Sequence, residues 1–152
     1  MNPARQILFR DVRIFDGRHN GLSESSNVLV RDELIEKISP EAIIAEGATI
    51  VEAGDRTLMP GLIDAHVHLD INRDIQDIVL HADRSDLAIR STVVARDMLM
   101  DGWTSVRDVG GSPFGLRRAV DAGLTPGPRI FASGPFISQP QGYMHFMFLG
   151  VW

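Results

Sequence analysis

The spacing of apolar residues changes part-way along the chain. Between Ile7 and Phe15 they fall at Ile7, Phe9, Val12, Ile14 and Phe15 and stop at the turn pair Asp16-Gly17, which predicts a short strand. A polar loop rich in Gly and Ser follows over 19–26. Val28-Leu29-Val30, the polar Arg31-Asp32-Glu33 and Leu34-Ile35-Glu36-Lys37-Ile38 then read as a hairpin. Thr49-Ile50-Val51 is one more β-type run, closed by Gly54-Asp55, and only 41–45 leans towards helix. The expectation is a small antiparallel β unit over residues 1–57.

Beyond Arg56 the pattern alternates between strand and helix. Thr57 to Ala65 is largely apolar, interrupted by Pro60-Gly61, and runs into His66-Val67-His68. Ser85 to Met100 has helical periodicity, with Leu87, Val94 and Met98 on an apolar stripe. Ser85 is placed to cap it, Asp86 suits its positive end, and Gly102 is a C′ residue. A strand at 104–108, a short helix from Phe114 to Asp121 and a strand at 129–133 complete a βαβαβ order over 58–152. That order predicts parallel strands with helical crossovers, adjacent in chain order.

Composition narrows the function. The 152 residues carry a net charge of −5 and are 44% hydrophobic, so nucleic acid and anionic membrane surfaces are not the expected partners. Arg117-Arg118 is the only adjacent basic pair. No apolar run has signal-peptide or membrane-span length, which makes cytoplasmic the default location. With no cysteine, disulfides and thiolate chemistry are excluded, and a metal would take imidazole and oxygen ligands.

Asp64-Ala65-His66-Val67-His68 is the sharpest candidate. Alternation along a strand puts His66 and His68 on one side, about 6–7 Å apart, where two imidazoles can converge on one ion. By the same parity Asp64 should lie deeper on that face, as an orienting partner or a structural acid. The pair falls at a strand's C-terminal end, where parallel βα folds gather functional groups. Asp108, also at a strand end, more readily shapes a loop. His19 and His81 read as solvated loop residues.

The run from Leu58 to His68, Leu-Met-Pro-Gly-Leu-Ile-Asp-Ala-His-Val-His, resembles the amidohydrolase superfamily. Gly102-Trp103-Thr104-Ser105-Val106-Arg107-Asp108-Val109-Gly110-Gly111 is similar to the branch holding imidazolonepropionase-like enzymes and metal-dependent Xaa-Pro dipeptidases. The resemblance implies an α/β fold: the first three strands of a (β/α)8 barrel, preceded by a β-sandwich-like unit. It also implies one or two divalent ions, usually zinc, held in part by His66 and His68, and a small-molecule or dipeptide substrate cleaved at a carbon–nitrogen bond. His145 occupies the region where relatives place a substrate-facing histidine, although Gln141-Gly142-Tyr143-Met144-His145-Phe146 matches poorly. The family's later ligands, a bridging lysine, two histidines and a catalytic aspartate, have no counterparts, since Lys37 is the one lysine and lies in the β unit. The expectation is therefore an incomplete hydrolase, inactive alone and prone to self-association. Its rivals are a non-catalytic binding module and an incomplete gene product.

Overall fold

The computed structural model describes residues 5–75, 77–78, 83–137, 139 and 142. The chain divides into two compact units between Pro60 and Gly61.

The first unit is a five-stranded sheet. Strands β1 (Gln6–Ile14), β2 (Ser26–Arg31), β3 (Leu34–Ser39) and β4 (Thr49–Glu52) lie in the order β3-β2-β1-β4, and β5 (Thr57–Leu58) also pairs with β1. The expected hairpin is β2–β3, and β1 joins β2 antiparallel. The all-antiparallel expectation fails for β4 and β5, which both run parallel to β1. β1 also carries an irregularity at Asp11, where φ is +52° and the β1–β2 register shifts. It divides β1 into a half that meets β4 and a half that meets β5. Leu8 packs with Leu29 and Ile43, whereas Val12 packs with Val28 and Ala53. Leu29 and Val28 are neighbours on one strand, so both faces of this sheet carry a small core. The stretch 41–45 is not helical; it supplies Ile43 to the first cluster instead. Because Thr57 and Leu58 pair with β1, they belong with this unit.

In the second unit β6 (Leu62–Val67), β7 (Trp103–Asp108) and β8 (Arg129–Ala132) form a three-stranded parallel sheet in that order. Helices α1 (Arg84–Met100) and α2 (Phe114–Asp121) make the crossovers. Asp83, rather than Ser85, is the N-cap of α1: its extended backbone lets the carboxylate accept from the Ser85 N–H at 2.6 Å. The Ser85 hydroxyl, with the Ser85 and Asp86 N–H groups, holds the Asp83 carboxyl below its ordinary pKa. Leu87, Ser91 and Ala95 are buried at successive turns, and Val94 and Met98 beside them pack on Leu69, Val106 and Ile130. Leu116 and Val120 of α2 close that cluster.

Both helices cover one face of the sheet. On the other, Ile63 is 73% and Phe131 57% exposed, although parallel sheets ordinarily bury both faces. No helix among the described residues is long and apolar enough to cross a membrane.

Leu69 is fully buried at the centre of the second core. Leu69→Ala should cost about 2–5 kcal/mol, whereas Leu124→Ala, at a residue 81% exposed, should stay within about 0.5 kcal/mol. Urea denaturation of both variants checks the contrast.

Candidate metal centre

Val67 packs against the helix-covered core and Leu69 lies within it. His66 and His68 alternate with these two residues and so project from the opposite face. Their ring centroids are 5.3 Å apart, with the planes nearly perpendicular. Two imidazoles sharing a tetrahedral ion through Nε2 have centroids about 5 Å apart, so this spacing fits a common ion.

Protonation favours the same use. His68 Nδ1 lies 3.2 Å from the Gly110 carbonyl oxygen. A carbonyl only accepts, so Nδ1 carries the proton and the Nε2 lone pair is left for a ligand. Phe136 packs beside the His68 ring at a centroid distance of 5.5 Å.

Asp64 departs from the parity argument. The β6–β7 register pairs Asp64 with Val106 and Val67 with Asp108, so β6 carries an extra residue between them. That bulge puts Asp64 in line with Val106 of the helix-covered core, not beneath the histidines. Its Oδ1 accepts from the His66 N–H at 3.0 Å, which braces the bulge through the main chain.

The loops after β6 and β7 are stitched together. Val109 N–H donates to Val67 O at 3.1 Å. Asp108 Oδ2 accepts from Leu69 N–H at 2.8 Å, and Oδ1 from Gly110 N–H at 3.2 Å. Asp70 Oδ2 accepts from Ser112 N–H at 2.8 Å. Burial raises the pKa of both carboxyls. The Leu69 and Gly110 N–H groups and His68 pull Asp108 back, while the charge of Asp70 pushes it further up. Asp70, Gly110 and Phe136 escaped the reading of the sequence. Alternation would have put Asp70 on the histidine face, whereas it turns to Ser91 on the helix side, and nothing local marks the other two.

His145 and His81 lie outside the described residues. His19 is exposed and pairs with Asp16 at 2.6 Å. Among the described residues no group of three or more His, Asp or Glu is placed to hold a metal. A cavity of about 400 Å³ lies between α1 and α2, lined by Asp70, Arg84, Leu87, Ser91, Ser112 and Leu116 among others. The histidines do not line it.

A parallel βα unit with paired imidazoles at a strand end defines a class, and comparison with known proteins gives the family. Residues 57–147 match the amidohydrolase family, and the chain belongs to it. It is 32% identical to an ochratoxinase from Aspergillus niger over 89 residues, covering 57% of this chain and 18% of that enzyme. It is 40% identical to a dihydroorotase from Streptococcus pneumoniae over 62 residues, 41% of this chain and 14% of the relative. A crystal structure of a prolidase complexed with N-methylphosphonate-L-proline superposes with a TM-score of 0.80 at 32% identity, over 92% of this chain and 34% of that one. The matched region thus spans under a fifth of these sequence relatives and about a third of the prolidase chain.

Gly110 tests the packing around His68. A methyl group there would meet the Phe136 ring at 2.0 Å. Gly110→Ala should therefore lower the melting temperature, and Phe136→Ala in the same chain should restore most of the loss. Thermal denaturation of the single and double variants checks this.

Proposed function

We propose that His66 and His68 supply two ligands of a divalent-metal site, most simply zinc, in a hydrolase acting on carbon–nitrogen bonds such as those of cyclic amides or dipeptides. The observation that carries this reading is the pair of imidazoles 5.3 Å apart, one with its Nδ1 proton committed to a carbonyl. A divalent ion in such a site lowers the pKa of water towards neutrality and polarises the carbonyl under attack. The chain's own part is to present two imidazoles and, through Gly110, to fix which ring nitrogen of one is a donor. Family membership and the names of the matched relatives support the reaction class.

Under this reading the second unit, from Gly61, forms the front of a (β/α)8 barrel, and the first, to Pro60, belongs to the accompanying β-sandwich. The exposed face bearing Ile63 and Phe131 is then the barrel's inner wall. Two imidazoles leave an ion short of ligands, so turnover needs further ligands from outside the described residues. His145 remains a candidate for contact with a small-molecule substrate.

In the full-length protein, replacing both His66 and His68 by alanine should remove bound zinc and abolish hydrolysis of amide or dipeptide substrates. Metal analysis after purification, with the melting temperature as a fold control, checks it. Retention of full metal content by the double variant would refute the ligand assignment.

Among the described residues β6 and β8 have no outer partner strand, and with the exposed Ile63 and Phe131 this favours self-association of the 152-residue chain. Sedimentation should show oligomers, and Phe131→Glu should shift them towards a monomer.

A further inference from the structure

The loops beside the histidines share one acceptor, and its two oxygens serve two different donors. Asp108 is 0% exposed at the end of β7. Its Oδ2 takes the N–H of Leu69, the residue after His68, and its Oδ1 takes the N–H of Gly110. Gly110 then turns its carbonyl to the Nδ1 proton of His68. A closed circuit results, running from one carboxylate oxygen through Gly110 to the imidazole and from the other through Leu69 to the same residue's backbone. Both ends of the His68 geometry, its main chain and its ring, depend on the one carboxylate.

Asp70 does not do this. Its contacts are the N–H of Ser112, in the loop after β7, and, at 3.4 Å, the hydroxyl of Ser91 on α1; neither involves Leu69 or Gly110.

We propose that Asp108 is a positioning residue for His68, holding the imidazole as the Nδ1–H tautomer with Nε2 free. The consequence for metal binding rests on the reading of His68 as a ligand, whereas the tautomer is a property of the chain alone. A carboxylate can satisfy both N–H groups with charge-assisted bonds. An asparagine there has one acceptor and one NH2, so it meets one N–H and opposes the other, donor to donor.

The test uses the full chain labelled with 15N-histidine, comparing wild type with Asp108→Asn and with Val106→Ala. The last is a core substitution on the same strand that serves as a stability control. Ring 15N shifts of the metal-free protein report the tautomer, and titration with Zn2+ reports affinity. Wild-type His68 is expected as Nδ1–H. Asp108→Asn should move it towards the Nε2–H form and weaken Zn2+ binding about 10–100-fold, the usual effect of losing a group that orients a ligand. Val106→Ala should change neither in its folded fraction. If Asp108→Asn matches Val106→Ala in tautomer and in affinity, Asp108 is merely structural and the proposal falls.

Should Asp108→Asn fail to fold, the wild type still decides. Couplings across the hydrogen bonds from the Leu69 and Gly110 amide nitrogens to the Asp108 carboxyl carbon must both be present, and the absence of either overturns the circuit. A wild type that binds no Zn2+, combined with a tautomer shift in Asp108→Asn, would refute the ligand role of His68 and uphold the positioning role of Asp108.

Discussion

Parallel pairing of β6, β7 and β8 is the constraint on which the rest of the second unit depends. Parallel strands deliver their C-terminal ends to one edge, and each return must then pass over a face of the sheet. Here α1 and α2 make those returns, and the Leu69, Val106 and Ile130 side chains hold them down. The loops after β6 and β7 are thereby forced into contact. Once adjacent, their N–H groups are shielded from water and need acceptors, which Asp108, Asp70 and the Val67 carbonyl provide. The candidate site follows from closing that hydrogen-bond requirement.

Two buried carboxylates so near a pair of histidines also set the local electrostatics. Burial opposes the ionised form of Asp108, and the charge of Asp70 opposes it further. The Leu69 and Gly110 N–H groups and His68 act the other way. Any negative charge retained there favours a cation beside the imidazoles, so loop closure and the proposed ion site draw on the same groups.

Much of this arrangement was legible in the sequence, because local periodicity and the fold agree over most of the second unit. Strict alternation of His66 and His68 with Val67 and Leu69 gave their common face, and the stripe Leu87, Val94 and Met98 gave α1. What alternation could not reveal was the bulge between Asp64 and Val67, since no Gly or Pro marks it. The cap of α1 moved from Ser85 to Asp83 because both residues offer an oxygen at a suitable distance, and only the backbone conformation chooses between them. The stretch 41–45 is too short to hold a helix by itself, and burial of Ile43 against Leu8 and Leu29 decided its form. Contact between Gly110 and Phe136 is tertiary, so no local pattern encodes it. The parallel pairing of β4 and β5 with β1 is likewise tertiary, and so is the left-handed backbone of Asp11 in mid-strand, which has no apolar signature.

The register of β6 bears on where the chain can change in length. Leu62 pairs with Trp103 and Ile63 with Ser105, so β7 has an extra residue at that point, while β6 has one between Asp64 and Val67. The two irregularities cancel, leaving Ile63 and Asp64 offset by one residue from the strand on either side. Length changes just before Leu62 have a neighbouring irregularity to absorb them and leave the histidines facing as they do. A single insertion or deletion between Val67 and Leu69 has none, and it would turn an imidazole into the apolar core or bring a core side chain out of it. Within one short stretch of chain, a change of length is tolerable at the entrance and disruptive at the exit.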